Sequence, residues 1–126
     1  MALRCLVVDD DARFLESAKL LLHREGVEVD TASSGAQAIR QIGVLRPDVV
    51  LLDIHLGEES GFAVARELHA AWPTAGSSEG GARIILISTY SERDYGRLIE
   101  TSPVLGFIAK SSLSAHAIRE VLRGRR

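Results

Sequence analysis

Apolar residues gather into five short runs, "LRCLVV" (3–8), "VEVDTA" (27–32), "DVVLL" (48–52), "RIILIS" (83–88) and "VLGFIA" (104–109). Each has the length of a strand and is rich in leucine or β-branched residues. After each run the apolar positions change spacing to three or four: Phe14, Ala18, Leu21 and Leu22; Ala38, Ile39 and Ile42; Phe62, Ala65 and Leu68; Tyr95, Leu98 and Ile99; Ile118, Val121 and Leu122. That spacing keeps side chains on one helix face. The first, third and fourth runs are apolar on both alternations, as expected when helices cover both faces of a parallel sheet. The pattern predicts an α/β fold, a (βα)5 doubly wound sandwich around a parallel five-stranded sheet.

Helix ends carry their own signals. Ser91 followed by Asp94 fits a capping box, Ser60 can cap the third helix, and Gly26 stands where the first should stop. The segment "WPTAGSSEGGA" (72–82) reads as a mobile surface connection.

The 126 residues, 46% of them hydrophobic, suit one domain over 1–126 with a core that needs no staples. A net charge of -2 leaves no nucleic-acid footprint, and the "RGRR" tail with Arg119 and Arg123 reads as a wet helix end, so no direct nucleic-acid binding by this chain is expected. The single Cys5 excludes an internal disulfide and reads as a buried thiol. No stretch approaches the roughly 18 apolar residues of a membrane span, and no secretory pattern opens the chain, so the cytoplasm is the expected location.

Strands of a parallel sheet all point one way, so the residues after them collect along one edge. Asp9 and Asp10 follow the first strand, Asp53 the third, Ser88 and Thr89 end the fourth, and Lys110 follows the fifth. In a sheet ordered 2-1-3-4-5 the three acids meet at the switch point. Their mutual repulsion calls for a hard divalent cation, and all-oxygen ligands suit Mg²⁺ or Mn²⁺ better than zinc. A metal-bound Asp53 beside Lys110 could attack phosphorus, with Ser88 donating a hydrogen bond to the transferred group.

These five positions, Asp9-Asp10, Asp53, Ser88 and Lys110, resemble over essentially the whole chain the receiver domain of bacterial two-component response regulators, a flavodoxin-like fold. The resemblance implies that Asp53 is the phosphoacceptor and that Asp9, Asp10, Asp53 and the backbone carbonyl of His55 hold the metal. It implies that Ser88 and Lys110 contact the phosphoryl group, and that Ser88 and Phe107 form the switch. The phosphoryl donor would be a sensor histidine kinase, and a homodimer could form through the face of the fourth helix, fifth strand and fifth helix or through that of the first and fifth helices. Phe107 lacks the hydroxyl of the tyrosine often found there, Gly57 stands where proline is frequent and should loosen the turn, and "KSS" lacks a proline after the lysine. The His55 side chain is expected either simply exposed or standing over the phosphoryl group, where it would alter the approach of water.

Other functions fit less well. An aspartyl phosphatase would need an acid at position 55, and a flavodoxin-like electron carrier would need a phosphate-cradling loop where the acidic "VVDDDARF" lies. A phosphorylation-independent interaction module would keep the fold and abandon the chemistry. "DIHLGEESGF" and "AKSSLSAHAI" look like actinobacterial regulators with a LuxR-type helix-turn-helix output domain, so the chain reads as the N-terminal piece of a transcription regulator or as a stand-alone receiver.

Overall fold

The computed structural model describes residues 3–72, 82–90 and 92–124. The chain runs β1 (Arg4–Val8), α1 (Ala12–Arg24), β2 (Glu28–Ala32), α2 (Gly35–Leu45) and β3 (Val49–Asp53). A small hairpin (His55–Leu56 with Glu59–Ser60), α3 (Gly61–Ala71) and β4 (Ile84–Ser88) follow. A 3-10 turn (Glu92–Tyr95) then enters α4 (Gly96–Glu100), β5 (Gly106–Ala109) comes next, and a 3-10 turn (Lys110–Ser112) precedes α5 (Ala115–Leu122). The five long strands pair in parallel in the order β2-β1-β3-β4-β5, as the sequence pattern predicts.

Alternation along the strands sorts the core into two layers. Leu6, Val8, Val50, Leu52, Ile84 and Leu86 pack with Ile42 of α2 and Leu68 of α3. Cys5, Val7, Val49, Leu51, Ile85 and Ile87 pack on the opposite face with Leu22 of α1 and Ile118 of α5. Each fully buried Leu or Ile contributes about 2 kcal/mol, so the central strands hold most of the stabilisation. Burial raises the Cys5 thiol pKa well above its ordinary value, as suits an inert core residue.

Register fixes where the strands stop: Val8 lies opposite Ala32 and Leu52, Asp53 opposite Ile87, and Ser88 opposite Ala109. Ser60 caps α3 through Phe62 N–H, and Gly26, at φ +87°, lets the chain turn after α1. The Ser91 cap and most of the 72–82 connection lie outside the described residues.

Two helical stripes differ from expectation. Leu21 is 39% exposed and Leu98 53% exposed, although both fit the spacing. In α4, Tyr95 and Ile99 set the half-buried stripe, and Leu98 lies about 100° round from Ile99. Among the described residues no helix is long and apolar enough to cross a membrane.

Gly61, at the start of α3, lies hard against β3: a Cβ there would meet the Asp53 carbonyl oxygen at 2.3 Å and Ile54 Cα at 2.6 Å. Both are backbone atoms that cannot swing aside. Gly61→Ala is therefore expected to destabilise the fold by about 3 kcal/mol, read as a lower urea midpoint.

Candidate functional site

Beyond the end of β1 the Asp9 N–H donates to the Ala32 carbonyl at 3.1 Å, and Asp9 Oδ1 accepts the Asp11 N–H at 2.9 Å. These bonds fix Asp9 in full burial. Asp53 ends β3 at 6% exposure and accepts the His55 N–H at 3.3 Å. Asp10 is exposed, yet one oxygen from each of Asp9, Asp10 and Asp53 lies within 4.8 Å of the others. The sheet edge thus brings together the three acids that the sequence singles out.

Lys110, directly after β5, reaches into the same space. Its Nζ lies 2.6 Å from Asp9 Oδ2 and 3.5 Å from Asp53 Oδ2, and 4.4 Å from the centre of the Phe14 ring. Burial alone would lower the lysine pKa, but the Asp9 and Asp53 carboxylates outweigh it and hold the ammonium above its ordinary value. Three carboxylates against one ammonium leave two negative charges uncompensated. Asp9 Oδ2 is buried and paired by charge with Lys110 without a directed hydrogen bond. An all-oxygen set with more negative charge than the one lysine offsets fits a hard divalent cation.

Burial first, then the Asp9 charge, push the Asp53 carboxyl up to about 6, while Lys110 and the His55 N–H pull it down. Between about pH 4 and pH 6 the native chain therefore keeps a proton that the unfolded chain has released, and stability falls as pH rises through that window. In EDTA the Asp53 contribution is expected to make the chain less stable above this window than below it, by at most about 3 kcal/mol. Denaturation of the parent and of Asp53→Asn at both ends of the window checks this, because the variant loses that component.

Ser88 is buried at the end of β4, and its Oγ accepts the Tyr90 N–H at 3.0 Å, which among the described residues leaves the hydroxyl hydrogen available. Phe107 is half-buried on β5 against the α2-α3 layer of the core. Gly57 does not loosen the turn beyond Asp53. With φ +59° at the first central position of the hairpin, and a negative φ at Glu58, it closes the turn in the manner of type II′, a conformation closed to proline.

The His55 side chain is exposed, as one reading expected, but it is also engaged. Its Nε2 lies 2.8 Å from Tyr95 Oη, and its ring stands edge-on to Tyr90 and Tyr95 with centroids 6.0 and 5.8 Å away. Nothing in local spacing announces this cluster, because its members come from three separate segments. Asp11 is a plainer omission. It is the N-cap of α1, its carboxylate accepting the Arg13 and Phe14 N–H groups, and the third acid before a helical stripe carried that signal. The remaining histidines, His23, His69 and His116, are solvent-exposed.

Residues 5–123 match the family model of the response regulator receiver domain. The DNA-binding response regulator MtrA of Mycobacterium tuberculosis is 43% identical over 70 residues, which are 56% of this chain and 31% of MtrA. A protein-glutamate methylesterase/protein-glutamine glutaminase of Alkalilimnicola ehrlichii is 41% identical over 76 residues, 59% of this chain and 20% of that protein. This chain thus spans less than a third of the length of these relatives, whose names point to different activities. Among solved structures, the response regulator TrrA of Thermotoga maritima superposes with a TM-score of 0.77 at 30% identity, covering 97% of this chain and 98% of that one. With the parallel sheet, the acids at its edge and the facing lysine, these matches show that the chain belongs to the response regulator receiver domain family, the signalling switches of two-component systems.

Proposed function

We propose that this chain is a phosphorylation-driven switch whose acceptor is Asp53. The carrying observation is the Lys110 ammonium shared between Asp9 and Asp53, with an Asp10 oxygen in reach. Asp9, Asp10, the Asp53 carboxylate and the His55 backbone carbonyl would hold Mg²⁺ or Mn²⁺. The bound cation would offset the negative charge of the phosphoryl oxygens. TrrA, solved in complex with Mg²⁺ and BeF, supports this ligand class.

An Asp53 oxygen attacks phosphorus of a phosphohistidine on a sensor histidine kinase. The O–P bond forms as the P–N bond breaks, and the imidazole leaves. Lys110 neutralises charge on one side of the transferred group. Ser88, whose hydroxyl hydrogen has no acceptor among the described residues, donates to it. Drawing Ser88 inward frees space beneath β4 into which half-buried Phe107 turns, and this change of packing reshapes α4, β5 and α5. The exposed His55 ring, held by Tyr95 and two residues after the acceptor, would limit the approach of hydrolytic water.

The single domain over 1–126 then regulates a partner or an output domain, in the cytoplasm, through the α4-β5-α5 or the α1-α5 face, with a homodimer as one outcome. The DNA-binding response regulator MtrA and the transcriptional regulatory protein PrrA of Mycobacterium leprae, both similar to this chain, support transcription as the output. Incubation with acetyl phosphate and Mg²⁺ is expected to add one phosphoryl group, seen by intact mass and mapped to Asp53. Absence of any mass gain with Mg²⁺ or Mn²⁺ would leave a phosphorylation-independent interaction module instead.

A further inference from the structure

The hairpin after β3 pairs only His55 with Ser60 and Leu56 with Glu59. Two strands this short are marginal on their own in water, so something outside must hold them. Part of the support is local: Gly61 N–H donates to the Ile54 carbonyl at 2.6 Å, and Ser60 caps α3. The remainder comes from a residue far away in sequence. Glu59 Oε1 accepts the N–H of Gly35, the first residue of α2, at 3.0 Å.

This bond joins a carboxylate to the positive end of a helix, where charge and donor direction both favour it. A Cβ on Gly35 would sit 2.7 Å from Val64 Cγ2 and 3.1 Å from Glu59 Oε2, so both carboxylate oxygens lie close to the helix end. The α2 terminus has its own caps: Ser34 Oγ accepts Gln37 N–H at 3.1 Å, and Gln37 Oε1 accepts Ser33 N–H at 2.7 Å. What Glu59 adds is a tether from the hairpin to α2. At the other side of the same hairpin, a Cβ on Gly57 would stand 3.3 Å from Asp10 Oδ2. The hairpin therefore lies between the α2 terminus and the acids, and its first residue is His55.

We propose that Glu59 is a positioning residue for the cation site. By binding Gly35 N–H it fixes the hairpin, and with it the His55 carbonyl and the Gly57 turn beside Asp10, in the placement that Mg²⁺ binding requires. This rests on the reading of Asp9, Asp10, Asp53 and His55 as a divalent-cation site.

Calorimetric titration of the purified chain with MgCl₂ tests it. Glu59→Ala is expected to weaken Mg²⁺ about tenfold, and Glu59→Gln, which keeps an acceptor oxygen for Gly35, to recover most of that loss. Ser34→Ala weakens the same helix terminus without touching the hairpin, and is expected to leave the affinity within about twofold of the parent. In EDTA, Glu59→Ala should speed hydrogen exchange at the Gly35 and His55 amides, whereas Ser34→Ala should leave His55 unchanged. A Glu59→Ala chain that binds Mg²⁺ like the parent, or a Ser34→Ala chain weakened as much as Glu59→Ala, would overturn the inference. A parent that binds Mg²⁺ but takes nothing from acetyl phosphate sinks the phosphorylation reading and leaves the role of Glu59 standing. A parent with no affinity for Mg²⁺ sinks both.

Discussion

Asp53→Asn is expected to bring acetyl-phosphate labelling down at least about 100-fold, to background, while making the metal-free protein more stable above pH 6 by about 1–3 kcal/mol. The two effects have one origin. Asparagine fills the same space and still accepts the His55 N–H, which approaches Asp53 Oδ1 at 3.3 Å, but its neutral amide cannot serve as the nucleophile. In the parent, burial and the Asp9 charge outweigh the pull of Lys110, so ionised Asp53 is a net cost to the fold at neutral pH. Removing the charge removes that cost. Intact mass after acetyl-phosphate treatment checks the first effect and urea denaturation in EDTA the second. A variant labelled as well as the parent would move the acceptor elsewhere, and a less stable variant would mean that the attraction to Lys110 wins.

Lys110→Met is expected to destabilise the metal-free protein by about 3–5 kcal/mol at neutral pH. The lysine side chain is 13% exposed, and no other cation lies within 4 Å of the Asp9 or Asp53 carboxylates among the described residues. Methionine keeps an unbranched apolar chain of similar length, so the loss reports the ammonium, with its place 4.4 Å from the centre of the Phe14 ring, rather than a cavity. Two desolvated acids are then left facing each other. Mg²⁺ should return much of the stability, because a divalent ion offsets the same charges, but the phosphorylation rate should stay low. Urea titrations with EDTA and with MgCl₂ separate these outcomes. A loss under about 1 kcal/mol in EDTA would show that water, not Lys110, compensates Asp9 and Asp53.

The acids and the lysine were legible because each interrupts or ends an apolar run, and a parallel sheet delivers all such ends to one edge. Strand limits were legible for the same reason, since β3 and β4 are buried along their whole length and end on the polar residues Asp53 and Ser88. The middle of α4 was not. A helix that buries no residue leaves only a weak trace in the pattern, so Leu98 looked like core while lying in solvent. Gly57 was misread because composition shows that a glycine relaxes the chain, but not that its positive φ would close a hairpin. The pairings of His55 with Tyr95 and of Glu59 with Gly35 join residues 40 and 24 positions apart, and no local period encodes such distances.

From Arg93 to Glu100 no side chain is fully buried, and Tyr95 and Ile99 are the apolar anchors packed on the core. Changes at Arg93, Arg97 or Leu98 on the outer side therefore alter folding free energy by no more than about 0.5 kcal/mol. Such a segment can therefore take on new outer side chains, and with them a new listener, without unsettling the buried acids at the rim of the sheet.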